Sequence, residues 1–169
     1  ITKIIALLPP LLADNNLPTL LKSLLRDLLD DIHHINQRVD ALDKQINAFV
    51  KTNDTANRLM TISGIGPITA SALVATTGDP HLFKNSRQFT AWLGLVPKQF
   101  SSGGKTRLGG ITKSGDGYLR KLLIQGARAV LFRSGTHTDQ RSLWINQLRS
   151  RKPDNVVATA LAAKLARTA

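Results

Sequence analysis

Residues 57–77 read NRLMTISGIGPITASALVATT, two apolar helical segments separated by a short turn. Pro67 suits the first position of the second helix, because its fixed φ is compatible with a helix start. Gly64 and Gly66 allow a tight backbone path that points successive N–H groups at one phosphate, and Ile65 between them would insert into the core. The stretch therefore predicts a helix-hairpin-helix for binding nucleic-acid backbone, although an ordinary interhelical turn has the same pattern.

A long apolar seam precedes this hairpin. From Leu21 onward, apolar residues recur alternately four and three positions apart for four heptads, which predicts a coiled-coil helix over residues 18–57. Mostly β-branched a positions with mostly Leu d positions favour two parallel strands, although a helix packed within its own chain is the alternative. The seam comprises Leu21, Leu25, Leu28, Ile32, Ile35, Val39, Leu42, Ile46 and Phe49.

A glycine-rich basic segment follows the hairpin. Residues 98–117 read KQFSSGGKTRLGGITKSGDG and hold six of the chain's 12 glycines. Without apolar periodicity the segment is predicted to be an exposed loop that binds phosphates. Its cations are Lys98, Lys105, Arg107 and Lys113. A serine such as Ser101 or Ser102 can attack a phosphodiester when it is activated, but no neighbouring His or Glu offers a base. The residues alone therefore indicate a phosphate-binding loop.

The remaining segments also have helical patterns, so the predicted fold is all-α. Ser86 is predicted to cap a short helix that buries Phe89, Trp92 and Leu93. Asp116 is predicted to cap a longer helix with one apolar and one basic face. Predicted phosphate-binding residues on the basic face are Arg120, Lys121 and Arg128. An Ala-rich helix is predicted over residues 155–167.

Charge is distributed unevenly along the chain. Residues 1–57 contain six Lys or Arg and seven Asp, whereas residues 58–169 contain 17 Lys or Arg and only four Asp. A basic region of this size favours a polyanionic partner, since neutralised phosphates release counterions. The absence of Cys excludes disulfides and thiol catalysis, and Pro9, Pro10 and Asp14 interrupt the N-terminal apolar run, so no membrane span is expected. A cytoplasmic, nucleoid-associated protein is the resulting expectation.

Three stretches together resemble one family closely. They read LMTISGIGPITASALVATTGDP, FKNSRQFTAWLGLVPKQFSSGGKTRLGGITKSGDGYLRKLLIQGARAVL and RKPDNVVATALAAKLAR. In order and spacing they are similar to the C-terminal transposase domain of the insertion-sequence family numbered one hundred and ten, in its eleven-eleven subgroup. The resemblance extends from residue 17 to nearly the end of the chain.

The resemblance implies a DNA recombinase of a mobile element, guided in some members by a structured bridge RNA. A serine of this domain attacks the DNA strand and becomes covalently linked to it; the family's Ser-Gly pair matches Ser102 and Gly103 best, with Ser101 as the alternative. The matching positions Lys105, Arg107, Lys113, Arg120 and Arg128 are implied to hold DNA or RNA phosphates. Family members place an acidic tetrad with Mg²⁺ in a resolvase-like N-terminal domain, joined through a coiled coil.

This sequence departs from the family pattern in several ways. It contains no Glu, and few Asp follow residue 57, so no acidic metal site is expected and no cofactor is predicted for this chain. Residues 1–17 are interpreted as a remnant of the interdomain region, 18–57 as the coiled-coil helix and 58–169 as the transposase domain. Gln125 and Ala162 occupy positions where the subgroup is expected to have His and Asn.

Two hypotheses of different classes follow. The first is the serine-bearing domain of an RNA-guided transposase, incomplete and inactive without the metal-binding domain. The second is a catalytically silent module that binds nucleic acid and oligomerises through the coiled coil.

Overall fold

The structure is a computed structural model, which describes residues 2–13 and 16–169. Asp14, which interrupts the N-terminal apolar run, lies outside the described residues, as do Ile1 and Asn15. The chain divides into two compact units, Ile1–Asn47 and Ala48–Ala169. None of the helices in the described part of the chain combines the length and the apolar character that crossing a bilayer requires.

The predicted long helix is present but ends before residue 57, because Asn53 caps the next helix. Helix α1 spans Thr2–Ala13, and helix α2 spans Thr19–Thr52. Along α2 the seam residues Leu28 and Ile35 are each 57% exposed, and Leu42 is 55% exposed. A row of large apolar side chains open to water is typical of a helix surface that binds another helix, but the coiled-coil pairing itself stays a prediction.

The second unit is mostly helical, as predicted, with one exception. Pro97–Ser102 and Lys105–Ile111 form an antiparallel pair of strands, where the sequence predicted a loop. The elements, in chain order, are α3 (Asp54–Met60), α4 (Pro67–Thr77), α5 (Ser86–Trp92), β1 (Pro97–Ser102), β2 (Lys105–Ile111), α6 (Gly117–Arg133), α7 (Gln140–Arg149) and α8 (Asp154–Thr168), with 3₁₀ turns at Pro80–Leu82 and Ser134–Thr136.

The core of this unit lies between α6 and α8. The apolar stripe predicted on α6 is buried at Leu119, Leu123 and Ala127, and the Ala-rich α8 buries Leu161 and Leu165. Small side chains such as those of Ala158 and Ala162, both buried, allow the two helices to approach closely. Removing these side chains from water supplies the main stabilisation of the fold.

Helix boundaries agree with the predicted caps, with one shift. The Asp116 carboxylate accepts hydrogen bonds from the backbone N–H groups of Tyr118 and Leu119 at 2.7 and 2.8 Å. Helix α5 is capped by Asn85 rather than by Ser86, because the Asn85 side chain accepts the N–H groups of residues 87 and 88.

Burial in α5 is less complete than predicted. Leu93 is fully buried, but Phe89 is only half-buried and Trp92 is 38% exposed. The Trp92 ring lies against Phe89 and Phe83, with centroid distances of 5.8 and 5.5 Å. Trp92 thus belongs to an aromatic cluster at the surface rather than to the core.

Candidate nucleic-acid interface

The segment with the two serines is a β-hairpin closed by Gly103 and Gly104. Both glycines have positive φ values, 57° and 75°. A two-residue loop with two positive φ angles is a type I′ turn, whose twist matches that of the strands, and Gly-Gly is one of the sequences it prefers. Ser102 pairs directly with Lys105 across this turn.

The register of the hairpin divides its side chains between two faces. Phe100 pairs with Arg107, and Ser102 pairs with Lys105. Directly paired residues point to the same side and alternate residues share a face, so Ser102 lies on one face with both cations. The structure thereby brings together three of the residues that the sequence singled out.

Ser101 lies on the opposite face, where the paired positions from Gln99 to Leu108 carry no charged side chain. Its direct partner is Thr106, and Gln99 shares its side of β1. The Gln99 amide Nε2 donates a hydrogen bond to Ser101 Oγ at 2.9 Å. The two adjacent serines, equivalent as sequence candidates, therefore have different surroundings.

The whole hairpin is open to water. Every residue of β1, the turn and β2 up to Gly110 is exposed, including Phe100 at 60% and Leu108 at 63%. Lys98 lies at an irregularity in the ladder between Pro97 and Gln99. A surface of this kind is accessible to a ligand as large as a nucleic-acid strand.

Backbone hydrogen bonds fasten the base of the hairpin to the end of α5. The N–H of Thr112 donates to the Val96 carbonyl at 2.9 Å, and the N–H of Lys113 donates to the Gly94 carbonyl at 3.1 Å. Lys113 has a positive φ of 59°, which is uncommon for a residue other than glycine. This turn leads the chain from β2 into α6.

Arg120 reinforces the same junction. Its Nη1 donates to the Leu93 carbonyl at 3.0 Å and to the Gly115 carbonyl at 3.3 Å. The chain at Gly115 passes so close to the backbone of Trp92 that an added Cβ would overlap the Trp92 carbonyl oxygen, so only glycine fits at this position. Arg120 therefore has a structural contact that the sequence did not reveal, and its predicted phosphate binding stays a prediction.

The other two predicted cations of α6 are exposed. Lys121 lies in the first turns of the helix, and Arg128 lies two turns further on. Arg128 Nη2 donates to the Asn155 side-chain oxygen at 3.0 Å, which connects α6 to the start of α8. Both positions remain accessible to an anionic ligand.

The turn between α3 and α4 packs against α6. Ile65 is buried, as predicted, and its N–H donates to the Ile62 carbonyl at 2.9 Å. Gly64 has a φ of 100°. A Cβ added at Gly126 of α6 would overlap the carbonyl oxygen of Gly64. Gly66 caps α4 and has no side chain to bond the first N–H groups of the helix.

Charge on the described residues is mostly unpaired. Their only salt bridge joins Arg149 to Asp154 at 2.9 Å. The part of the chain that the structure describes contains no cluster of three or more His or Asp side chains able to hold a metal ion. Most Lys and Arg side chains of the described residues therefore have no carboxylate partner.

Sequence comparison identifies the class of protein. The family model for the transposase IS116/IS110/IS902 family matches residues 56–142, which include the α3–α4 turn, the hairpin and α6. The chain belongs to this family of transposases.

Particular relatives are found in several bacteria. The chain is 51% identical over 151 residues to a probable family 20 transposase of Pseudomonas aeruginosa, covering 89% of this chain and 45% of that protein. It is 41% identical to the transposase for insertion sequence element IS1328 of Yersinia enterocolitica, covering 92% of this chain and 47% of that protein. It is 40% identical to the transposase for insertion sequence element IS1111A of Coxiella burnetii, covering 85% and 40%. The chain thus spans less than half the length of these relatives.

Proposed function

We propose that this chain is the serine-bearing, nucleic-acid-binding region of a DNA transposase, with Ser102 as the nucleophile for strand cleavage. The observation that carries this proposal is the position of Ser102 on one face of an exposed hairpin with Lys105 and Arg107. Membership of a transposase family supports the reaction class.

The hairpin suits attack on a phosphodiester. Two cations beside the hydroxyl attract the phosphate and stabilise the negative charge that develops on its oxygens. Apart from the neighbouring residues in the chain, no residue comes within 4 Å of a Cβ position at Gly103 or Gly104, so the turn leaves open space next to Ser102. A phosphate backbone can therefore approach the hydroxyl closely.

Ser102 is favoured over Ser101 by its surroundings. Ser101 Oγ accepts the Gln99 amide and lies on the face away from the paired cations. In the proposed step a bond forms between Ser102 Oγ and phosphorus, and the bond from phosphorus to the leaving strand oxygen breaks. Ser102 loses one proton and the leaving oxygen gains one, so the step is balanced.

DNA is the proposed substrate, and a structured guide RNA is a proposed second partner. The exposed cations on the hairpin and on α6 would neutralise backbone phosphates. The Mg²⁺ implied by the family resemblance is assigned to an acidic site of the full-length protein rather than to this chain, so no step is derived through it.

Self-association through α2 is also proposed. The exposed seam of α2 offers Leu28, Ile35 and Leu42 to a second copy of the chain, which would bury them in a parallel coiled coil. We expect sedimentation at micromolar concentration to give a dimer, and Ile35→Asp to give a monomer because it would bury a charge. A control change, Asp40→Asn, alters charge off the seam and should leave the dimer intact; a monomeric wild type would contradict the proposal.

A catalytically silent binding module is the second candidate function. It is favoured by the absence, in residues 2–13 and 16–169, of any hydrogen-bond partner for the Ser102 hydroxyl that would activate it. In that case the hairpin and α6 would only bind the backbone.

The decisive experiment looks for a covalent adduct between protein and DNA. A full-length protein containing this sequence would be mixed with its RNA, Mg²⁺ and labelled DNA, and resolved under denaturing conditions. We expect Ser102→Ala to reduce the adduct more than about a thousandfold, since the nucleophile is lost, and the matched change Ser101→Ala to retain it. Full strand exchange by the Ser101→Ala, Ser102→Ala double variant would establish the silent module instead.

A further inference from the structure

A second cationic pocket lies away from the serine hairpin. It has a volume of about 400 Å³ and lies between the α3–α4 turn, the C-terminal half of α6 and the start of α7. The polar and charged residues that line it, together with Gly64, are Ser63, Arg133, His137, Asp139 and Arg141. The sequence placed Arg133 on the basic face of α6, where phosphate contact is favoured, but neither the sequence patterns nor the family resemblance assigned a role to His137 or Arg141.

Both arginines of this pocket keep their charge unpaired. Arg133 is exposed in the last turn of α6, and no described carboxylate forms a salt bridge with it or with Arg141. Arg141 is half-buried, and its Nη1 reaches the Ser63 carbonyl only at 3.4 Å. A guanidinium has five N–H donors, so both side chains retain most of theirs for a ligand.

The one carboxylate in the pocket is committed elsewhere. Asp139 caps α7, accepting the Ser142 hydroxyl at 2.6 Å and the N–H groups of Arg141 and Ser142 at 3.1 and 3.3 Å. The hydrogen bond from the Ser142 hydroxyl, aided by those from the backbone, lowers the pKa of Asp139 below its ordinary value. Asp139 thus caps the helix end, and it forms no salt bridge with either guanidinium group.

We infer that this pocket binds a phosphodiester group of a nucleic-acid strand, held by Arg133 and Arg141. Guanidinium groups match the oxygens of a phosphate with paired hydrogen bonds, which makes Arg suited to this ligand. The inference rests on the nucleic-acid binding proposed above and adds a second contact point for the backbone.

The pocket and the base of the hairpin lie at different levels along α6. Arg120, at the base of the hairpin, and Gly126, against the α3–α4 turn, lie six residues apart on α6, a rise of about 9 Å. Arg133 lies seven residues further along the same helix, another rise of about 10 Å. One rigid helix thereby sets the spacing between the two contact points.

The test compares two double variants with equal loss of charge. The pocket variant is Arg133→Gln with Arg141→Gln, and the control is Arg87→Gln with Arg151→Gln, two exposed arginines outside the pocket. Binding of the full chain to a labelled DNA duplex and to an RNA duplex of equal length would be measured between about 50 and 200 mM salt. Over this range the affinity depends strongly on the number of phosphate contacts.

We expect the pocket variant to weaken binding about tenfold and to reduce the slope of log affinity against log salt by about 0.9, the value for one phosphate contact. The control should leave the slope unchanged. A loss on DNA alone identifies DNA as the source of the phosphate, and an equal loss on both duplexes identifies a site that takes either strand; both results support the pocket.

Two outcomes would overturn the inference, and they are distinguishable. If the wild-type chain binds the duplexes but the pocket variant keeps its full salt slope, the pocket is not a phosphate site and the proposed nucleic-acid binding stands. If the wild-type chain binds neither duplex, the proposed function fails together with the pocket. If the double variant loses the helical circular dichroism signal of the wild type, the single change Arg133→Gln, at an exposed side chain, repeats the test.

Discussion

The serine hairpin and the α6–α8 core differ in almost every physical respect. Leu119, Leu123 and Leu161 of the core are fully removed from water, whereas all residues of β1 are exposed. The core is held together by apolar burial between helices distant in sequence, and the hairpin by local strand pairing and its turn. Side chains of the hairpin can therefore serve a ligand without supporting the fold.

Glycine serves different purposes in the two regions. In the hairpin, Gly103 and Gly104 supply positive φ angles, and nothing occupies the space where their side chains would be. At the core, Gly126 is needed for space, because the α3–α4 turn crosses α6 where a Cβ would meet the Gly64 carbonyl. The same residue type thus gives backbone shape in one region and close packing in the other.

The largest expected effect tests whether the core, and not the hairpin, stabilises the fold. Leu123→Ala removes a fully buried side chain and should lower the free energy of unfolding by about 3 kcal/mol, through lost burial and the cavity left behind. The matched change Leu108→Ala, at a side chain 63% exposed, should cost less than about 0.5 kcal/mol. Urea denaturation followed by circular dichroism would measure both.

Equal losses for these two variants would contradict the comparison, because they would mean that Leu108 is as well packed as Leu123 in solution. The slope of the free energy of unfolding against urea concentration should be the same in both variants, since neither change alters much of the surface exposed on unfolding.

A smaller effect is expected from the contact between glycines. Gly126→Ala should destabilise the chain by about 2 kcal/mol, because the added methyl group forces α6 away from the α3–α4 turn, and this outweighs the better helix propensity of Ala. Gly110→Ala is the control, since no atom lies within 4 Å of its Cβ position. Thermal unfolding would compare the two; a more stable Gly126→Ala chain would exclude the close crossing.

The smallest expected effect is at the junction between the two regions. Arg120→Met leaves the Leu93 and Gly115 carbonyls without this donor, and should cost about 1 kcal/mol. Amide hydrogen exchange at Thr112 and Lys113 should become faster as the base of the hairpin loosens. Lys121→Met removes the same charge from the same helix and should leave exchange at both amides unchanged. If both variants exchange alike, Arg120 does not fasten the hairpin.

Much of the helical structure follows from local pattern. Spacing of apolar residues predicted α2 and α6, and Asp116 was predicted as the α6 cap that the structure shows. The burial of Ile65 was also predicted, since a large apolar residue between two glycines has few other places to go. These features depend on neighbours within one or two helical turns, which a linear sequence displays directly.

The hairpin was missed although its sequence contains a recognised signal. Gly103-Gly104 between Ser102 and Lys105 is a two-residue loop of the kind that closes strands, but the flanking residues lack the apolar alternation typical of a strand. Exposed strands need no such alternation, because neither face is buried. The abundance of glycine was therefore interpreted as a loop.

What the linear sequence determines here is helix position, one glycine-rich basic segment and the family to which the chain belongs. The contact of Arg120 with the Leu93 carbonyl, the contact of Arg141 with the Ser63 carbonyl and the placement of Arg133 and Arg141 around one pocket belong to the folded chain alone. The physical reason is distance along the chain: Arg120 and Leu93 are 27 residues apart, and Arg141 and Ser63 are 78 apart. Local preference has no influence over such separations, which are set by packing of the helices around α6.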